Sequence, residues 1–198
     1  MATNKLNMDS DFYKNRRTVE KYIQMAKGFD GRDLIQKLKL YLLPHSHVLE
    51  LGSGPGADFA ILRKDFNVIG SDYSTEFLNR LRMRFPKDVF IELDAAKMDT
   101  ALTFDCIYSN KVLHHLTNEE LECSIQRQYE MLSANGIICH SFWKGSGTEN
   151  FKGMFVNNHT EASLKDFFSH YFNILELSSY KEFETEDSLL YIGSKKKP

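Results

Sequence analysis

The stretch Val48-Leu49-Glu50-Leu51-Gly52-Ser53-Gly54-Pro55-Gly56 constrains this chain more than any other. Apolar Val48, Leu49 and Leu51 predict a buried parallel strand. Glycines at alternate positions then let the backbone turn sharply, and they leave main-chain atoms open to a ligand with no Cβ in the way. Ala57-Asp58-Phe59-Ala60-Ile61-Leu62 reads as the first turns of a helix. Strand, glycine loop and helix, in that order, open a nucleotide-binding α/β unit.

Charge narrows the ligand. Gly52, Gly54 and Ala57 satisfy the Gly-x-Gly-x-x-Gly/Ala pattern nominally, and Asp72 follows at the spacing of a dinucleotide fingerprint. A pyrophosphate, however, wants bare amides and no nearby carboxylate. Here Glu50 stands two residues before the first glycine, and no Lys or Arg appears until Arg63. Such a loop suits a ligand with a cationic head and no phosphate, and S-adenosylmethionine is one.

Glu50 to Gly56 resembles the first motif of class I S-adenosylmethionine-dependent methyltransferases, of the small single-domain type 11/25 kind. The resemblance extends over about residues 45 to 145. It implies a Rossmann-like α/β fold: a seven-stranded, mostly parallel sheet of order 3-2-1-4-5-7-6, strand 7 antiparallel, with helices on both faces. Glu50, Gly52, Ser53, Gly54 and Gly56 would form the cofactor loop. Asn67 to Ser71 reads as strand two, and Asp72 follows at its carboxyl end, where open α/β sheets bind ligands. The resemblance gives Asp72 the ribose hydroxyls and places Tyr73 beside the adenine. Ser74 caps the next helix. Asp88 to Leu93 reads as strand three. By resemblance, Asp94 then accepts from the adenine amino group and the Ala95 amide donates to the ring.

Phe104 to Ser109 reads as strand four, followed by Asn110-Lys111-Val112-Leu113-His114-His115-Leu116. In the family, Ser109 and Asn110 would line the methionine moiety through backbone carbonyls. The segment is not the Asn/Asp/Ser-Pro-Pro-Tyr/Phe of adenine and glutamine amino-group methylases, and no Pro-Cys nucleophile is present. Of the paired histidines, His115 is the candidate general base, since imidazole titrates near neutrality; helix-entry packing is the plainer role for both.

Val19, Tyr22, Ile23 and Ala26 fall at helical spacing, as do Leu34, Ile35, Leu38 and Leu42 before Pro44. The resemblance makes residues 1–44 a lid of N-terminal helices on a 45–198 Rossmann-like core, together a single 1–198 methyltransferase domain. Tyr13 and Tyr22 would then reach the methionine end of the cofactor or the acceptor. Thr117 and Glu120 have the spacing of a capping box, with Gly136 after the helix end. Gly136 to Trp143 reads as strand five and Lys144 to Glu149 as a flexible loop; this loop, with Phe151 and Phe155, is where the acceptor is expected, although core packing is the plainer role for those two aromatics. Trp143, His115 and Tyr22 are the acceptor-site candidates. Two β-like segments, about 172–183 and 188–194, close the sheet as a hairpin.

Net charge is −2 with no basic stripe, so no nucleic-acid partner is expected. Three cysteines without ligand spacing predict buried thiols and no metal. No signal region or membrane-length apolar run is seen, which gives the expectation of a cytoplasmic protein without a membrane partner. The expected reaction moves the methyl of S-adenosylmethionine to a small-molecule acceptor. The alternatives are a non-catalytic S-adenosylmethionine-binding module and an NAD-dependent oxidoreductase; Glu50 and Asp94 argue against the second.

Overall fold

The computed structural model of the protein describes residue 13 and residues 15–197. Its centre is a seven-stranded sheet. Five strands, β1 (His47–Leu51), β2 (Asn67–Asp72), β3 (Val89–Glu92), β4 (Phe104–Asn110) and β5 (Leu132–Trp143), run parallel; helices cross over after β1, β2 and β4, and β3 reaches β4 through the irregular segment 93–103. β9 (Ser188–Lys195) pairs antiparallel with β5 and with β8 (Phe172–Tyr180), giving the order 3-2-1-4-5-9-8. This is the expected topology. The last two strands carry higher numbers because a separate hairpin, β6 (Thr148–Phe151) and β7 (Met154–Asn157), interrupts the chain after β5.

Side-chain alternation along the strands decides which helix packs where. Leu49, Ile107, Ile138 and Tyr191 point to one face, against Leu121 and Ile125 of α5 (Asn118–Met131) and Leu164 and Phe168 of α6 (Glu161–Ser169). Their neighbours Val48, Cys106, Cys139 and Ile192 point to the other, against Leu34, Ile35 and Leu38 of α2 (Arg32–Leu38) and Leu62 of α3 (Ala57–Leu62). Phe59 of α3 and Leu78 and Leu81 of α4 (Thr75–Arg84) close the β3 end of that second face around Phe90. Burying a side chain of this size contributes about 1.5–3 kcal/mol, so both faces hold the sheet rigid beneath the strand ends.

Helix starts follow the local sequence. The Ser74 hydroxyl accepts from the Phe77 amide, and Thr117 with Glu120 forms the expected capping box. α5 ends earlier than expected: its C-cap is Leu132, and β5 begins there, so Gly136 lies inside the strand. α1 (Arg16–Met25) is capped by the Asn15 side chain, which accepts from the Arg17 amide. Of the expected 1–44 lid, α2 is packed into the sheet; Tyr13, α1 and the link up to Asp30 border the site.

Candidate functional site

The glycine loop turns with three glycines of positive φ at alternate positions: Gly52 at 64°, Gly54 at 48° and Gly56 at 79°. A Cβ on Gly52 would stand 2.6 Å from Val112, so that position is fixed by space as well as by conformation. A Cβ on Gly54 would meet nothing nearer than 3.9 Å, leaving the top of the loop open. Hydrogen bonds hold the loop to β2: the Ser53 amide donates to the Ser71 carbonyl at 2.7 Å, and the Gly54 amide donates to Asp72 Oδ2 at 2.9 Å. The Ser74 amide donates to the other Asp72 oxygen at 2.8 Å.

Three carboxylates converge beneath this loop. Glu50, 2% exposed, accepts from the Ser53 hydroxyl at 2.5 Å. Burial, reinforced by the charge of Asp58, pushes its carboxyl up to about 8. Asp58, in the first turn of α3, is 9% exposed. It accepts from the Gly31 amide at 2.6 Å, the Tyr108 hydroxyl at 2.7 Å and the Asn110 amide at 3.0 Å. Burial still outweighs those donors and raises it above the ordinary carboxylate value. Burial also lifts Asp72 to about 6, against the amides of Ser74 and Gly54. A site with this excess of buried acid and no cation on the loop favours a positively charged ligand.

Glu50 and Asp58 open into a cavity of 430 Å³ that runs from the glycine loop to the end of β5. At its far end stand His114, His115, Lys111, Trp143 and Phe183. His115 Nδ1 lies 2.6 Å from the Phe155 carbonyl, which can only accept, so Nδ1 carries the proton and Nε2 keeps a lone pair. Nε2 sits 3.3 Å from the Tyr13 hydroxyl. The Lys111 ammonium donates to the Phe142 carbonyl at 3.1 Å and the Ser188 hydroxyl at 2.6 Å, and lies 3.6 Å from the centre of the Trp143 ring system. Burial pulls it down to about 7, while Glu182 opposes the shift.

Comparison with known proteins agrees with this geometry. The methyltransferase domain family matches residues 48–136. Residues 48–136 thus carry the sequence pattern of a methyltransferase domain, and the chain as a whole has the class I methyltransferase fold. Over 93 residues, 46% of this chain, it is 32% identical to a trans-aconitate 2-methyltransferase of Methylobacterium radiotolerans and 31% identical to an uncharacterized methyltransferase of Oceanobacillus iheyensis. The match spans 35% and 44% of those relatives, so the chain covers less than half the length of either. Among solved structures, an S-adenosylmethionine-dependent methyltransferase of Clostridium acetobutylicum superposes with a TM-score of 0.75 at 14% identity, over 89% of this chain and 98% of that one. The Burkholderia thailandensis 1,6-didemethyltoxoflavin-N1-methyltransferase does so with 0.75 at 18%, over 89% and 82%. The N-methyltransferase NodS of Bradyrhizobium japonicum gives 0.74 at 17%, over 93% and 99%.

In this chain the residues expected from sequence divide into two groups. Tyr13, Tyr22, Glu50, Gly52, Ser53, Gly54, Asn110, His115 and Trp143 border the cavity. Asp72, Tyr73, Asp94 and Ala95 do not; they form a rim along the ends of β2 and β3. Tyr73 is 44% exposed there, and Asp94 caps its own turn by accepting from the Ala96 amide at 2.9 Å. Between rim and cavity lies an aromatic cluster in which Tyr22 and Phe77 stand 5.9 Å apart and Tyr13 and Tyr22 5.6 Å. Gly56 packs against Leu81 and Phe85, away from the cavity. The Ser109 side chain is fully buried and bonds His140 at 2.8 Å, so it offers the cavity no side chain.

Sequence reasoning missed Asp58, Lys111, Glu182 and Phe183. An acid in the first turn of a helix reads as an ordinary dipole partner, and Glu182 and Phe183 read as part of a closing strand. The expected loop 144–149 runs directly into the β6–β7 hairpin, and Phe151, expected near the acceptor with packing as its plainer role, is exposed and borders the cavity. The signal for that hairpin was Lys152-Gly153, whose φ values of 54° and 92° make the two-residue turn. Among the described residues, no group of three His, Cys, Asp or Glu is placed to hold a metal, and no helix is long and apolar enough to cross a membrane.

Proposed function

We propose that this methyltransferase moves the methyl group of S-adenosylmethionine to a small-molecule acceptor. The observation that carries the reading is the single cavity joining the buried Glu50–Asp58 pair to the His115 imidazole. The donor set fits the cofactor. Glu50 and Asp58 suit an ammonium, the open top of Gly54 suits close approach to the backbone, and Asp72 on the rim suits ribose hydroxyls. The same acids repel a pyrophosphate, which disfavours a nicotinamide cofactor.

When bound, S-adenosylmethionine supplies a methyl already activated on a sulfonium. What remains for the chain is positioning, water exclusion and one proton. Tyr22 and α1 cover the loop side, and Trp143 and Phe183 cover the other. Nε2 of His115 takes the acceptor's proton, because the Phe155 carbonyl holds the ring proton on Nδ1 and so makes Nε2, which the Tyr13 hydroxyl also approaches, the basic nitrogen. The proteins this chain is similar to support a small acceptor: one Burkholderia structure holds 1,6-didemethyltoxoflavin with S-adenosylhomocysteine, and the Methylobacterium relative is named for trans-aconitate.

Calorimetric titration with S-adenosylhomocysteine, S-adenosylmethionine and NAD tests the reading. Binding of the first two and not the third is expected. Binding of NAD alone overturns it, and tight cofactor binding with no turnover across a broad panel of small acceptors favours a non-catalytic binding module.

A further inference from the structure

We infer that His114 holds the acceptor, and that the group it holds is the uncharged hydroxyl of a small aromatic molecule. This deepens the transferase reading above and rests on it.

His114 borders the cavity at 3% exposure, and among the described residues nothing hydrogen-bonds its Nδ1. The buried imidazole of His140, by contrast, is satisfied: it bonds Ser109 at 2.8 Å through one nitrogen and Gln128 at 2.7 Å through the other. Leaving a buried polar atom without a partner costs free energy, and such an atom persists in a cavity wall where a ligand supplies the partner. His159 Nε2 is also unpartnered, but His159 does not border the cavity. The His114 ring is held in place, with its centroid 4.0 Å from that of His115 and 6.3 Å from that of Trp143. Burial holds its pKa well below the usual histidine value, with the neighbouring His115 and Lys111 adding to the effect. Its imidazole is therefore a neutral hydrogen-bonding group across the working pH range.

The charges around it are matched within the protein. Lys111 is spent on Phe142, Ser188 and, at 4.0 Å, Glu182. Asp30 is held by Arg32 at 2.9 Å, and Asp58 by its three donors. Lys152 also borders the cavity but is exposed to solvent, so among the described residues no unmatched charge is buried at this end to call for an ionic acceptor. Phe29, Phe183 and Trp143 supply flat apolar walls, with centroids 4.8 Å apart for the first pair and 5.7 Å for the second. A flat ring with one hydroxyl matches both features: the walls take the ring, His114 takes the hydroxyl, and Nε2 of His115 lies beside it to receive the proton.

The test is a titration of the protein with phenol, benzoate and benzylammonium, with and without saturating S-adenosylhomocysteine. Dissociation constants and the ring-nitrogen NMR shifts of His114 are read together. Phenol is expected to bind at least tenfold more tightly than either ion and to move the His114 signals. His114→Phe should remove that preference while leaving the S-adenosylhomocysteine affinity within twofold, and His114→Gln should restore part of it. Equal affinity for the three probes, no binding of phenol, unmoved His114 signals, or a preference that survives in His114→Phe overturns the inference. Failure of S-adenosylhomocysteine to bind overturns the transferase reading instead, and the probe titrations without it remain readable.

Discussion

The amide of Gly31 donates to the carboxylate of Asp58 at 2.6 Å, tying the start of α2 to the helix that follows the glycine loop. The fit is close: a Cβ on Gly31 would lie 2.2 Å from the Tyr108 hydroxyl and 2.5 Å from Asp58. One carboxylate thus fastens α3 to the start of α2, through Gly31, and to β4, through Tyr108 and Asn110.

Asp58→Ala should destabilise the protein by about 2–4 kcal/mol, because it strands buried donors that each cost about 1–3 kcal/mol when unmet. Asp58→Asn, which keeps one acceptor oxygen, should cost less. Urea denaturation of the two variants checks the order, and equal losses would count against Asp58 as the fastening point.

Glu50 makes stability depend on pH. Its folded pKa, about 8, is above the unfolded value of 4.5, so the folded state holds the extra proton. The contribution is fully present below 4.5 and is lost as pH rises through 8. Buried His140 and His159 act up to the ordinary histidine value of 6.5, overlapping the lower part of this window, and Lys111, lowered to about 7, acts from there upward in the opposite sense. The reading is therefore made against Glu50→Gln, which shares both. Between pH 7 and 9 the wild type should lose about 1 kcal/mol relative to that variant, measured by denaturant midpoints at each pH.

Asp72→Ala should weaken S-adenosylhomocysteine binding by about 1.5–3 kcal/mol, or roughly tenfold to a hundredfold. Asp72 also receives the Gly54 and Ser74 amides, so Asp72→Asn should recover part of the affinity. Calorimetry gives both constants, and an unchanged value for the alanine variant would remove Asp72 from the site.

His115→Ala should lower kcat by about 10²–10⁴ once an acceptor is found. Cofactor affinity should be untouched. His115→Gln should not restore the rate, since an amide cannot take up the proton. A rate that survives in either variant would show that positioning alone drives transfer.

The sheet and the cofactor end were legible because their signals are local. An apolar run ending at Leu51, glycines that need positive φ, and acids at strand ends are each visible within a few residues. Strand order came from resemblance and the structure agrees with it. The acceptor end was less legible because its groups matter through distant partners. Asp58 is a site residue only because Gly31, Tyr108 and Asn110 surround it. Lys111 looks like a solvated cation, yet β5 and β9 bury it. The start of β5 was placed late because Gly136 reads as a helix stop, although the chain turns into the strand four residues earlier, at Leu132.

The acceptor end is walled in part by two insertions that carry their own closures. The β6–β7 hairpin turns on Lys152-Gly153. The loop between β8 and β9 is drawn shut by Asp187, which accepts from the amides of Glu182, Phe183 and Glu184 at 2.8 Å each. Neither closure supplies a bond to the glycine loop. A change of length or sequence in either turn should therefore reshape this end of the cavity while the glycine loop keeps its own geometry.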